Sequence, residues 1–199
     1  MAFEFNFNGQ TLRLRPAVEA DVSTVTQLVR SAYAIWSEAG IEVGSPLRQT
    51  DDITRSYLLD NGFVVTLPNG QIIGTVSLEP AQIEIVGADV SVVRRGKRDT
   101  YSFSSGKYKR EDFASTNYVY LYRLAVDRKY ARGGLGRRIM DAVGAHMQAA
   151  GSQGIVLDTQ RNTEWLYQWY QRQGFETLGD SRPTSPHDPV TVLMLRVFQ

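Results

Sequence analysis

Residues 118–158 limit what this chain can fold into more than any other stretch. Tyr118-Val119-Tyr120-Leu121-Tyr122-Arg123-Leu124-Ala125-Val126-Asp127 is aromatic and β-branched with little charge, as a strand buried on both faces reads. A basic connector holding Gly133, Gly134 and Gly136 follows. Leu135, Ile139, Ala142, Val143, His146, Met147 and Ala150 then recur at helical spacing until Gly151 stops the run. Ile155-Val156-Leu157-Asp158 reads as a second short buried strand. The order strand, glycine-rich loop, helix, strand predicts an α/β arrangement.

Glycines at a helix entrance leave several backbone N–H groups uncovered and pointing one way. With the positive end of the helix dipole they form an anion site suited to a pyrophosphate. Arg132, Arg137 and Arg138 add positive charge. A plain strand-to-helix turn with solvated arginines would not need three glycines, since each costs the helix up to ~1 kcal/mol. A nucleotide P-loop needs Lys-Ser/Thr after its last glycine, and Arg137-Arg138 stand there instead. The dinucleotide fingerprint fits in part, through Gly134-x-Gly136 and through Asp158 at the end of the next strand. It fails where Ile139 stands for the third glycine and where Asp127 to Gly133 separate the strand from the glycines.

Leu124-Ala125-Val126 followed by Ala131-Arg132-Gly133-Gly134-Leu135-Gly136 resembles the acetyl-CoA motif of the GCN5-related N-acetyltransferase (GNAT) superfamily. That motif has a Leu-x-Val strand, a short loop and Gln/Arg-x-x-Gly-x-Gly/Ala at a helix start. Ala131 departs from it, with arginine displaced to position 132. A second family motif is matched by Asn162 and by Tyr170-Gln171-Arg172-Gln173-Gly174-Phe175, with Trp165 where alanine is usual. The resemblance implies an α/β fold: one GNAT-like domain over residues 1–199, a central mixed sheet flanked by helices. It implies transfer from acetyl-CoA to a primary amine by direct attack through a tetrahedral intermediate. Leu124, Ala125, Val126, Arg132, Gly133, Gly134, Leu135, Gly136, Arg137 and Asn162 would bind acetyl-CoA, and Tyr170 would be the general acid. The loop Ile41 to Arg48 would recognise the acceptor, a small molecule or a peptide. A non-catalytic acyl-CoA-binding or regulatory domain is the alternative from another class, with a dinucleotide-binding protein behind it.

A length of 199 residues with 42% hydrophobic content supports one well-buried core. A net charge of +1 nominates neither nucleic acid nor membrane. The absence of cysteine removes disulfides and thiol chemistry. No basic leader and no apolar run near the ~18 residues of a membrane span is present, so a cytoplasmic protein is expected. A homodimer is allowed.

Phe3, Phe5 and Phe7 alternate with polar residues, and Asn8-Gly9 predicts a hairpin into Thr11–Arg15. Asp21 is expected to cap a helix carrying Val22, Val25, Leu28, Val29, Ala32 and Ile35, and Thr50 a second one over 51–60. Pro68-Asn69-Gly70 predicts a hairpin between strands at 63–67 and 71–78. Residues 81–116 read as an insertion before the motif strand, a basic β-hairpin with short strands at 83–86, 90–93 and 100–103. Arg94, Arg95, Lys97 and Arg98 interleaved with Tyr101, Phe103 and Tyr108 suit a nucleic-acid or other anionic partner. Glu111 and Asp112 favour instead a solvated hairpin projecting from the sheet.

An incoming ammonium must lose a proton, so a carboxylate is sought near the acceptor. Glu79, at a strand end before Pro80, is one candidate and Asp158 another, against a solvated residue and a helix cap respectively. Trp165, Leu166, Trp169 and Tyr170 are expected to share one inward helix face. His146 reads as a core histidine and His187 as a loop residue. No ligand spacing suggests a metal.

Overall fold

The structure, a computed structural model, describes residues 2–38, 40–41, 45–113, 117–182 and 190–198. Part of the acceptor loop expected at 41–48, the end of the 81–116 insertion and His187 lie outside the described residues. In chain order the elements are β1 (Phe3–Phe7), β2 (Gln10–Pro16), α1 (Val22–Glu38), α2 (Asp51–Asn61), β3 (Gly62–Thr66), β4 (Ile72–Val86), β5 (Asp89–Arg94) and β6 (Lys97–Phe103). They continue with β7 (Tyr118–Val126), α3 (Arg128–Ala131), α4 (Leu135–Ala149), β8 (Gly154–Gln160), α5 (Glu164–Arg172), β9 (Glu176–Asp180) and β10 (Thr191–Val197). Two compact units result, Met1–Leu78 with Tyr122–Ala145 and Glu79–Leu121 with His146–Gln199. The fold is mixed α/β.

In the first unit β1, β2, β3 and the start of β4 pair antiparallel in sequence order. Phe7 pairs with Gln10, and Asn8 and Gly9 both take left-handed φ values of 48° and 76°, as a two-residue hairpin turn requires. Val22, Val25 and Val29 of α1 pack with Tyr57 and Leu58 of α2, Val64 of β3 and Ala125 of β7. Fully burying each such side chain is worth ~1.5–3 kcal/mol. Thr50 Oγ1 accepts from the Ile53 N–H at 3.3 Å, capping α2 as expected. Asp21 does not cap α1. It lies in a short 3-10 turn and accepts from the Val18 N–H at 2.8 Å, while Arg15 donates to both of its oxygens at 2.7 and 2.9 Å.

In the second unit the end of β4, β5 and β6 form an antiparallel meander. β6 then pairs with β9, β9 with β10 and β10 with β8, all antiparallel, and β8 runs parallel to β7. The expected projecting hairpin is corrected here. Its strands are built into the sheet, with Val90, Ser91 and Val92 buried in succession. Its arginines are consumed by ion pairs: Arg94 with Glu79 and Asp99, Arg95 with Glu79, and Arg98 with Glu84. The separate strands expected at 71–78 and 83–86 are one strand, β4. Its pairing with β3 ends at Ser77 and its pairing with β5 starts at Gln82, so Pro80 lies in neither of those two ladders.

On α5, Leu166 and Tyr170 are buried, but Trp165 is 52% exposed. The expected four-residue inward face narrows to the i, i+4 pair, because Trp165 points about 100° away from Leu166. His146 is half-buried rather than core. Among the described residues no helix is long and apolar enough to cross a membrane.

Candidate functional site

The glycines expected to form an anion site stand at the start of α4. Gly134 adopts φ +83° with open space around its missing Cβ, whereas a Cβ on Gly133 would lie 3.0 Å from Phe7 Cζ. The chain reaches the helix by a left-handed turn that a side-chain-bearing residue adopts only at a cost of ~1–2 kcal/mol. Just ahead of α4, Gly134 O accepts from the Arg138 N–H at 3.2 Å. The amides of Leu135, Gly136 and Arg137 are therefore the open N–H groups of the first turn. Beside this turn is a cleft of about 370 Å³ lined by Gly133, Gly134, Arg137, Arg138, Asn6, Phe7 and Asn8. The three hairpin residues were missed by sequence reasoning, since Asn8-Gly9 signals a turn and nothing local ties it to residue 133. Leu135 is fully buried, so only its backbone can serve a ligand. Arg132 is exposed beside the loop.

β7 supplies the strand that precedes this loop. Its parallel ladder with β8 consists of three pairs, Tyr118–Gly154, Val119–Ile155 and Tyr120–Val156. Arg123, three residues further along, has φ +54°, a left-handed value that interrupts the regular pleat. Leu124, Ala125 and Val126 follow that irregularity. The Asp127 N–H beyond them donates to Ile73 O at 2.9 Å, and Tyr33 Oη lies 3.5 Å from Leu124 O. The glycine-rich cleft, with Arg137 and Arg138 on its wall, could hold a pyrophosphate-bearing ligand.

The other expected residues lie in the second unit. Tyr170 is 8% exposed, with its ring edge-on to Trp169 and Phe175 at centroid distances of 5.0 and 5.6 Å. Asn162 is exposed just ahead of α5. Glu79 is neither solvated nor at a strand end: it lies within β4 at 6% exposure. Arg94 Nη1 donates to its Oε1 at 2.8 Å and Arg95 Nε lies 3.2 Å from its Oε2. Asp158 is within β8 and caps no helix; α5 starts after Thr163. It accepts from the hydroxyls of Tyr101 and Tyr120. Burial, and after it the Asp158 carboxylate, push both phenols above their ordinary pKa, so both act as donors. Among the described residues no cluster of three metal-ligating side chains occurs.

A model of the Acetyltransferase (GNAT) family matches residues 28–175, and the chain belongs to that family. It is 34% identical over 61 residues to the uncharacterized N-acetyltransferase YesJ of Bacillus subtilis (strain 168), a match spanning 31% of this chain and 34% of that protein. The chain thus matches about a third of the length of that curated relative. A GNAT-family acetyltransferase of Streptococcus agalactiae 2603 superposes with a TM-score of 0.68 at 15% identity, covering 98% of each chain. PaiA N-acetyltransferase of Thermoplasma acidophilum, solved in complex with coenzyme A, superposes with a TM-score of 0.55 at 14% identity, covering 94% of this chain and 99% of that one. At these identities the likeness is one of fold.

Proposed function

We propose that the protein is an acetyl-CoA-dependent N-acetyltransferase acting on a primary amine. The observation that carries this reading is the glycine-rich start of α4, where Gly133, Gly134, Arg137 and Arg138 line one cleft. Acetyl-CoA bound there would supply an activated thioester. The amides of Leu135, Gly136 and Arg137 bind pyrophosphate oxygens, and Arg132, Arg137 and Arg138 balance their charge. The backbone of Leu124, Ala125 and Val126 hydrogen-bonds the pantetheine arm and stabilises the developing oxyanion. Asn162 completes the cofactor contacts. The Tyr170 hydroxyl donates its proton to the departing thiolate. Glu79 accepts from two arginines, which suits it to holding Arg94 in place more than to taking a proton.

The test is thiol release from acetyl-CoA in the presence of a panel of amines, amino acids, polyamines, aminoglycosides and peptides. Amine-dependent release above the rate of hydrolysis is expected for at least one acceptor class. Tight acetyl-CoA binding without release for any class would support the non-catalytic acyl-CoA-binding alternative instead.

A further inference from the structure

Within the second unit two buried tyrosines from separate strands converge on one exposed carboxylate. Tyr101 of β6 donates to Asp158 Oδ2 at 3.3 Å, and Tyr120 of β7 donates to Asp158 Oδ1. The two rings are 5% and 4% exposed, whereas Asp158 faces solvent. The ladder register explains half of this contact. Tyr120 stands beside Val156, and Val156 and Asp158 share a face of β8, so Tyr120 reaches one step diagonally.

A carboxylate offers about four acceptor positions, and the phenols use two of them. Among the described residues Asp158 takes part in no salt bridge, unlike Glu79, Glu84, Asp89, Asp99 and Asp180, each of which holds an arginine. Arg94 comes near without pairing to it. Its guanidinium lies 4.0 Å from the centroid of the Tyr120 ring and donates to Glu79 Oε1 at 2.8 Å and Asp99 Oδ2 at 2.6 Å. Asp158 is thus a fixed, outward-facing anion whose partners inside the protein are neutral. Buried phenols need an acceptor, and a carboxylate is a stronger one than a neutral carbonyl. It also places at the surface a negative charge that a cation from outside can meet.

We propose that Asp158 is the receptor for the ammonium group of the acceptor amine, with Tyr101 and Tyr120 as positioning residues that aim its carboxylate. The acceptor role rests on the acetyltransferase reading; the cation site does not. The basic hairpin between β5 and β6 then has a defined use, because it carries Tyr101 and the Arg94–Asp99 pair.

The test titrates the full chain, labelled with carbon-13 in its tyrosine rings, with n-butylamine, butan-1-ol or sodium butyrate at neutral pH. Signals of Tyr101 and Tyr120 are assigned with Tyr101→Phe and Tyr120→Phe. Both signals are expected to shift saturably with n-butylamine alone, and Asp158→Asn should weaken that response about tenfold or more. The proposal is overturned if butan-1-ol shifts the wild-type signals as n-butylamine does, if n-butylamine gives no saturable shift, or if folded Asp158→Asn responds like wild type. The wild-type comparison decides the matter even where the variant fails to fold. Acetyl-CoA calorimetry on the same wild-type sample separates the two readings. An amine response without acetyl-CoA binding removes the acetyltransferase reading and keeps the cation site; acetyl-CoA binding without an amine response does the reverse.

Discussion

Arg94 donates to Glu79 across 2.8 Å, matching a carboxylate that is 6% exposed within β4 with a guanidinium from the neighbouring β5. Arg95 approaches the other carboxylate oxygen, and Asp99 takes the second arm of Arg94. Charges this well enclosed add little net stability over an apolar pair, but removing one partner strands the other.

Arg94→Met should therefore destabilise the protein by about 3 kcal/mol, the low end for breaking a buried pair, since Arg95 still faces Glu79. Lys97→Ser, at the exposed tip of the same hairpin, should stay within about 0.5 kcal/mol of wild type. Urea denaturation of the two variants checks the contrast, and equal effects would show that the network is not structural.

The Arg15–Asp21 pair should add an acid-sensitive component to stability. The hydrogen bond from Arg15 chiefly holds the Asp21 carboxyl below its usual range, against an opposing effect of burial and with help from the Val18 N–H. A folded pKa below the unfolded one means the contribution is complete above the ordinary carboxylate value of about 4 and is lost as pH falls through the folded pKa. Asp21→Asn should be less stable than wild type at pH 7, and the gap should narrow below about pH 4. A gap independent of pH from 7 down to 2 would contradict this.

Local chemistry made much of the fold legible. Asn8-Gly9 and Asn69-Gly70 set their hairpins, Thr50 capped α2, and the apolar stripe from Leu135 marked α4. Pro80 misled because a proline between two apolar runs reads as a break, whereas β4 runs through it between its last pair with β3 and its first with β5. The Glu79–Arg94 pair depends on strand register, which composition does not encode. Asp158 in a strand is indistinguishable by sequence from a helix cap, and its tyrosines come from 38 and 57 residues away. Of the cleft at the start of α4, the glycines and arginines were readable and the Asn6–Asn8 wall was not.

Tyr170→Phe tests the proposed acid. The ring contacts with Trp169 and Phe175 are kept, so the melting temperature should change little, while kcat falls ~10²-fold or more with acetyl-CoA affinity retained. A normal kcat with chemistry rate-limiting would leave the tyrosine as packing only. Tyr170→Ala, by contrast, should cost ~3–5 kcal/mol of stability through the cavity it opens.

The central claim is that the start of α4 binds the phosphates of acetyl-CoA, and calorimetry on Gly134→Glu tests it most directly. Gly134 and Gly151 both have left-handed φ values with open space at Cβ, so glutamate strains the backbone alike at either position. Only at Gly134 does it bring a negative charge to the open amides. Wild type and Gly151→Glu should bind acetyl-CoA with similar affinity, and a folded Gly134→Glu should give no measurable heat. Equal affinity in all three proteins would contradict the site and, with it, the functional reading built on it.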